Sequence, residues 1–553
     1  MNTSREARSL SGYLELHLQA YIDELRQLCA IECPTAAKAG VDEAGAWVRR
    51  WVAARGWELH NFPDARVGDG LTAVVRGGTP GGLRVLLAAH LDTVYPIGVA
   101  AARPVRREGD RLIGPGSADN KSGLLSGLYA MAALEQCDLL GPFDSITMLC
   151  GGDEEDDMRA SLAMLHALAP SCDLALVLEA GRENGDIVGA RKGNGQFVLA
   201  VQGKSAHAGV EPHKGANAIL ALAQQIIALH LLNGMRPGVS LNVGVIQGGT
   251  VSNAVADHAQ ATIDVRVTQP EDMAPVGAAI ERIANTPYVL GTTATLAGGW
   301  LFPPMARTAQ IAALAELASA SAIELGFRLN DAATGGVSYA NALAALGLPV
   351  LDGLGPIGGL DHSPDEYIFA ASIVPRTALL ALLMLRRAQQ AICDTIAQSA
   401  EQSSVEQSSA KECSFKGGNM TTHANGAFEV KLTPQVADGD DADAVPSRMS
   451  IDKQFHGDLE ATSTGVMLAA GTAVTGSAGY VALERVSGTL RGRNGSFVLQ
   501  HSGTMARGAG QLTITVVPDS GTDQLTGLAG SMEIANLDGQ HSYDFSHTLA
   551  ETP

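Results

Sequence analysis

RVLLAAHLDTV (84–94), SITMLCGGDEE (145–155) and DLALVLEAG (173–181) decide how this chain is read. Each is an apolar run that ends in a histidine or a carboxylate. Runs of this length, bounded by glycine or charge, read as buried strands of a parallel sheet. Ligands bind beyond the carboxyl ends of such strands. His90, Asp92, Asp153, Glu154, Glu155 and Glu179 are therefore aimed at one crevice. GPGSADNKSG (114–123) adds Asp119, in a glycine-rich turn that opens a helix, and GGLDHSPDEY (358–367) adds His362. Two histidines, three carboxylates and a spare glutamate are what a two-metal hydrolytic site needs. The sequence predicts an enzyme.

A chain of 553 residues is too long for one core, so two to four domains are expected. An apolar fraction of 46% with 17% charged residues describes a folded protein. The net charge of -20 argues against nucleic acid or an anionic membrane as partner, since both select basic surface. Seven cysteines without CxxC spacing read as reduced thiols. The first residues form an amphipathic helical pattern rather than a signal peptide. The most apolar stretch, IFAASIVPRTALLALLML (368–385), is broken by Pro375 and Arg376, so no membrane span is expected. The compartment expected from these features is the cytoplasm.

Strand and helix patterns alternate up to residue 195 and again over 302–397, which predicts one α/β catalytic domain, discontinuous in sequence, with a mostly parallel sheet and helices on both faces. Between them, 196–301 reads β-α-β-β-α-β, the order of a ferredoxin-like α+β unit, and is expected to be an inserted domain. The stretch 398–419 is rich in Ser, Gln, Glu and Lys and reads as a flexible linker. From 420 to 553 strand alternation appears without helical patterning, and turn residues recur at intervals of eight to twelve. An all-β barrel or sandwich of about seven or eight strands is expected there, with a hairpin at Asn494–Gly495. Its histidines, His423, His456, His501, His541 and His547, show no ligand spacing and are expected at ordinary surface or strand positions.

Zinc takes histidine nitrogen and carboxylate oxygen, and catalytic sites keep one position open. Two metals about 3.5–4 Å apart need a bridging carboxylate. Asp119, approached closely through its glycines, suits the bridge; His90 and Glu179 suit one metal, Glu155 and His362 the other. Asp92, two residues past His90, points to the same side and suits orientation of the imidazole. Neighbouring side chains diverge at a strand end, so Glu154 and Glu155 divide two roles: one binds metal and the other acts as general base.

HLDTV, GPGSADNKSG, GGDEED, LVLEAG, GKSAHAG and the late DHS resemble, in order and spacing, the di-zinc exopeptidase and deacylase superfamily. Its members include the glutamate carboxypeptidase of the folate-cleaving type, acetylornithine deacetylase and succinyl-diaminopimelate desuccinylase. The resemblance spans roughly residues 15 to 395. It implies that His90, Asp119, Glu155, Glu179 and His362 hold two Zn2+, with Co2+ or Mn2+ as substitutes, that Asp119 bridges, and that Glu154 is the base. Glutamate at 179 looks like the carboxypeptidase and deacetylase branch. The resemblance further implies that His207 of GKSAHAG reaches the site across a homodimer and stabilises the oxyanion. Asn253 and Arg266 match residues that hold a substrate's free carboxylate. The pocket-lining segment departs from the family's pattern: Tyr339 follows Gly335-Gly336-Val337-Ser338 where relatives often carry aspartate. The C-terminal part looks like a small, uncharacterised bacterial barrel domain.

The function expected from all this is a zinc-dependent carboxypeptidase. It would act on a small peptide or N-acyl amino acid at an amide bond beside a free C-terminal carboxylate. The alternatives are an N-acyl-amino-acid deacylase with the same centre and, from another class, a non-catalytic peptide-binding relative.

Overall fold

The three apolar runs form strands Leu83–His90, Phe143–Gly151 and Leu174–Val177. In the computed structural model, which describes residues 4–409, 422–434, 447–471, 474–507, 509–537 and 540–549, they lie side by side and parallel. Val350–Leu351 extends them at one edge. At the other edge Gly70–Arg76 joins antiparallel to Phe143–Gly151, and Glu58–Phe62 pairs antiparallel with Gly70–Arg76 to complete a six-stranded sheet. Leu83–His90 has almost no exposed position, which is why its sequence does not alternate. Helix Ser122–Gln136 is buried from Ser122 to Leu134, as expected of a helix enclosed by other layers.

The register of these strands sets up everything that follows. His90 lies opposite Gly151, and Ala88 lies opposite Val177. Glu179, two residues past Val177, therefore comes level with His90, while Gly151 leads directly into Asp153-Glu154-Glu155. A second, small sheet brings in the remaining elements. It runs Gly358–Gly359, Tyr367–Phe369, Arg111–Ile113, Arg106–Glu108. Tyr367 pairs with Ile113, so the chain around His362 is fastened beside the segment that leads into Asp119.

Strands Gly193–Gln202, Ser240–Gly248, His258–Val267 and Thr293–Phe302 form an antiparallel sheet with Ser240–Gly248 at one edge. With helices Ala218–His230 and Met273–Asn285 the order is β-α-β-β-α-β. This unit has its own core, built around Leu199, Leu222, Ile263 and Ile280.

Helix Ile373–Ser409 continues well past residue 398, so the stretch read from its composition as the start of a tether is helical to Ser409. Polar residues rich in Glu and Gln are good helix formers, and composition alone does not separate such a helix from a linker. The rest of that expected linker, with Cys413, lies outside the described residues. Among the described residues no helix is long and apolar enough to cross a membrane.

Eight strands from Thr422–Pro434 to Gln540–Leu549 close into a barrel. Its hairpin between Ala478–Leu490 and Arg493–Ala506 does not turn at Asn494–Gly495, which pair within the ladder. It turns at Arg491–Gly492, with φ of 46° and 82°. Both central residues of this turn need positive φ, and the glycine at 492 supplies the second without strain. Two of the barrel's histidines also depart from the surface reading: His501 and His547 are buried, the former among charged groups.

Chain contacts divide at Ser404 into two compact units. A closed barrel leaves no unpaired edge and buries its own inward face, which is what independent folding requires. Residues 420–553 expressed alone should therefore give a soluble β protein with a single cooperative thermal transition. Residues 1–404 alone should bind metal and keep kcat within a few-fold of the full chain. A fragment 1–404 that folds and binds metal but loses more than tenfold in kcat/KM would place the barrel in the catalytic machinery.

Candidate active site

Beyond the strand ends, His90 is fully buried. Its Nδ1 is 3.0 Å from the Asp92 carbonyl and 3.4 Å from the Asp92 carboxylate, and its Nε2 is 2.9 Å from Asp119 Oδ1 and 3.9 Å from Glu179. Asp92 thus sits on the side of the imidazole away from the crevice, as the sequence spacing suggests. It does a second job that spacing could not show. Its carboxylate accepts the backbone N–H groups of Glu154 at 3.2 Å and Glu155 at 3.1 Å, and the Thr35 hydroxyl at 2.7 Å. The turn that presents both glutamates is fastened to the strand that presents the histidine.

Asp153 takes no place in the crevice. It caps helix Arg159–Leu168, accepting from the N–H groups of Ala160 and Ser161 and from the Ser161 hydroxyl. Tyr339 donates to that hydroxyl at 2.8 Å and is fully buried. A Cβ on Gly151 would lie 2.0 Å from the Tyr339 oxygen, so the ring packs behind the strand end. The expectation that Tyr339 lines the substrate pocket is therefore corrected: its hydroxyl satisfies the Ser161–Asp153 pair behind the site. Arg191 is likewise internal. It pairs with Asp352 at 2.6 Å and donates to the Gly336 carbonyl at 3.0 Å.

Asp119 stands in the turn Ser117–Lys121, and its carboxylate meets both histidines, with His362 Nε2 3.2 Å from Oδ2. The same His362 nitrogen is 3.3 Å from Glu155. The turn is held by a residue that motif reading passed over. Glu366, buried, accepts the backbone N–H groups of Gly116 at 3.0 Å, Ala118 at 2.8 Å and Asp119 at 2.9 Å, and the Tyr95 hydroxyl at 2.5 Å. It lies four residues past His362, so one loop supplies the histidine and clamps the aspartate opposite it. The available signal was the acid of PDEY, an apolar environment's least welcome residue unless it is engaged.

The electrostatics of this cluster are adverse without a cation. Burial pushes the Glu154, Glu155 and Glu179 carboxyls up from their usual range, with neighbouring carboxylates adding to the effect. Burial pushes Glu366 up to about 7. Hydrogen bonds to Asp119 and Glu155 raise His362 to about 11. Burial opposes charge on Asp119, yet its hydrogen bonds from His362 and His90 hold its carboxyl below the usual range. Ligand atoms of His90, Asp119 and Glu155 lie within 4.8 Å of one another. Among the described residues, Glu155 Oε1 and Glu179 Oε1 are buried without a hydrogen-bond partner. Buried carboxylate oxygens are otherwise satisfied almost without exception, so these two fit a divalent cation held between them and the histidines.

On the inserted unit, His207 and Asn253 are exposed. The segments carrying them are joined, Ala208 N–H donating to the Asn253 carbonyl at 2.9 Å. Arg266 is half-buried and holds Asp264 through two parallel bonds of 2.9 Å, while its Nη1 is 3.4 Å from the Gly335 carbonyl. Among the described residues, no hydrogen bond or ion pair links His207, Asn253 or Arg266 to the metal-binding cluster.

Residues 189–292 match the peptidase dimerisation domain of the M20 type, and residues 424–547 match DUF3224, a protein family of unknown function. Carboxypeptidase G2 of Pseudomonas sp. (strain RS-16) is 27% identical over 372 residues, which is 66% of this chain and 88% of that protein. The chain is similar to peptidases of the M20 type in both comparisons. Its curated relatives indicate a hydrolase acting on amide bonds. An M20 family metallo-carboxypeptidase from Sulfolobus solfataricus shares the fold, with a TM-score of 0.53, 16% identity and coverage of 66% of this chain and 98% of that one. The chain is 51% identical to a DUF3224 protein of unknown function from Shewanella oneidensis MR-1, covering 24% of this chain and all of that one, with a TM-score of 0.23.

The Glu366 clamp is open to direct test. Glu366→Gln keeps the size of the side chain but replaces one acceptor oxygen by an N–H2 facing backbone donors. Groups that orient metal ligands typically contribute about 10–100-fold in metal affinity. A calorimetric Zn2+ titration should show a loss of that order with the melting transition retained. Unchanged affinity would show that the turn positions Asp119 without Glu366.

Proposed function

We propose that the chain is a two-zinc carboxypeptidase, releasing a C-terminal amino acid from a small peptide or N-acyl conjugate. The observation that carries this reading is the pair of partnerless buried oxygens on Glu155 and Glu179, level with His90 and joined to His362 through Asp119. In the proposed assignment His90 and Glu179 would hold one metal, Glu155 and His362 the other, and Asp119 would be shared between them. Zinc held by these residues would supply Lewis-acid polarisation of the scissile carbonyl and a more acidic water.

The protein's own groups do the rest. Glu154 shares its turn with Glu155, but among the described residues its carboxylate accepts no hydrogen bond from either histidine, and burial raises its carboxyl pKa. A carboxylate in that state is a suitable general base. It takes a proton from the attacking water and returns it to the leaving amine. Arg266 spends its parallel pair of N–H groups on Asp264, so the N–H groups left on Nη1 and Nη2 are those offered to a substrate carboxylate, with Asn253 beside them in the proposal.

Homodimerisation through the inserted unit is part of the proposal. Ile227 on helix Ala218–His230 and Leu231 just past its end are 65% and 78% exposed, and Val245 and Ile246 on the edge strand Ser240–Gly248 are 52% and 56% exposed. An apolar patch at an unpaired strand edge is suited to pairing with a second copy. His207 of that copy would then stabilise the developing oxyanion.

A panel of blocked dipeptides and N-acetyl amino acids, with zinc present, tests the substrate class. Cleavage of the dipeptides is expected; cleavage of N-acetyl amino acids alone would make the chain a deacylase, and no cleavage of either would favour a binding protein. Glu154→Gln should keep its metal content and lose at least about 10²–10⁴-fold in kcat. Activity within tenfold of the parent would sink the base assignment. Arg266→Ala should lower kcat/KM about 10- to 100-fold on free-acid substrates relative to their amides, the size of one hydrogen bond to a charged group. An equal loss on both would show the arginine to be structural. Mixing His207→Ala and Glu154→Gln proteins should recover activity through hybrid dimers, and no recovery after verified subunit exchange would remove the role in trans.

A further inference from the structure

The barrel carries a polar cluster that its closure does not require. Inward positions of small barrels are ordinarily filled by apolar side chains. Here Lys453, Ser463, Glu484 and His501, from four successive strands, face inward and are 9%, 2%, 1% and 3% exposed. Glu484 accepts from Lys453 Nζ at 2.8 Å, from His501 Nε2 at 2.9 Å and from Ser463 Oγ at 2.9 Å. Buried charges cost several kcal/mol each in desolvation, and apolar residues of similar size are often as stabilising. The cluster therefore points to a task other than holding the barrel together.

Cross-strand register gives its depth. Glu484 lies in the layer of Gly465 and Leu499. The next layer is Met467, Ala482, His501 and Ile514, and the one beyond is Ala469, Tyr480, Gly503 and Leu512. On the deep side the interior is packed with Phe428, Phe455, Phe497 and Phe545. On the other side a cavity of about 440 Å³ opens, walled by Met467, Ala469, Tyr480, Met505 and Leu512. Gly503 is needed for its shape, because a Cβ there would lie 2.4 Å from the Tyr480 ring. His501 thus stands in the layer adjoining an apolar cavity.

We propose that this open end of the barrel binds a small amphiphilic carboxylic acid, with its apolar body between Met467, Tyr480, Met505 and Leu512 and its carboxyl group against His501. The volume falls in the range of small-molecule pockets, and an apolar wall with a few convergent polar groups is their usual make-up. The head group follows from the cluster's chemistry. The Glu484 carboxylate is already met by three donors. Lys453 uses one of its three N–H groups on it, its ammonium otherwise lying over the Phe428 and Phe455 rings. Among the described residues, the bond to Glu484 is the only hydrogen bond of the His501 ring, which leaves Nδ1 for a ligand. One carboxylate between an ammonium and an imidazole accommodates an acid, whose proton the second nitrogen can share, and repels an amine through Lys453.

Isothermal titration of the full-length protein with decanoic acid, methyl decanoate and decylamine tests this. The acid should bind saturably at one per chain, the ester at least tenfold more weakly, and the amine not at all. Ala469→Trp puts an indole into the cavity from a half-exposed position. It should abolish binding while leaving amide hydrolysis unchanged. His501→Leu should bring the acid down to the affinity of the ester; if that variant fails to fold, the acid-to-ester ratio and Ala469→Trp decide the matter. Absence of saturable binding, binding that survives Ala469→Trp, or equal affinity for acid and ester would each overturn the proposal.

Discussion

The constraint on which the catalytic unit depends is the register of three parallel strands. With His90 opposite Gly151 and Ala88 opposite Val177, the ligand groups of three separate segments emerge at one level. A slip of one residue in any strand would turn its terminal group to the other face. The register is itself locked from the crevice side. Asp92 accepts N–H groups from the Glu154–Glu155 turn, and Leu178 N–H donates to the Ala88 carbonyl at 2.9 Å. The apolar core fixes the strands, and the polar ends keep them in step.

That arrangement concentrates Asp119, Glu154, Glu155 and Glu179 around two imidazoles. Like charges so close and so poorly hydrated raise one another's pKa values, and divalent cations are the direct remedy. The fold's answer has two parts. His90 and His362 neutralise Asp119 from both sides, and Glu366 fixes the Asp119 turn through its backbone N–H groups rather than through its carboxylate. The Asp119 carboxylate oxygens are thus left to the centre itself.

Much of this was legible in the sequence because buried parallel strands write themselves as uninterrupted apolar runs, and their ends are where chemistry gathers. RVLLAAH, SITMLCGG and DLALVLE announced both the sheet and the positions of His90, Glu154, Glu155 and Glu179. The β-α-β-β-α-β unit was equally plain, since its strands alternate. What stayed hidden was whatever depends on contact across long sequence separations. Glu366 and Tyr95 lie 271 residues apart, and nothing local marks their pairing. Tyr339 was read as lining a pocket because its segment does so elsewhere, whereas its hydroxyl answers Ser161, 178 residues away. The Asn494–Gly495 turn signal lost to Arg491–Gly492 for a related reason: once the barrel closes, the register of every hairpin is set by its neighbours. His501 looked like a strand residue of no account because its partners, Glu484 and Lys453, come from other strands.

The proposed two-cation centre is open to one decisive measurement. Protein stripped of metal by a chelator and titrated with Zn2+ in a calorimeter, with activity followed on the same samples, tests it most directly. Two ions bound per chain are expected, with activity absent from the stripped protein and restored by zinc. Activity undiminished in the stripped protein, or no zinc bound at the cluster of His90, Asp119 and Glu155, would contradict it.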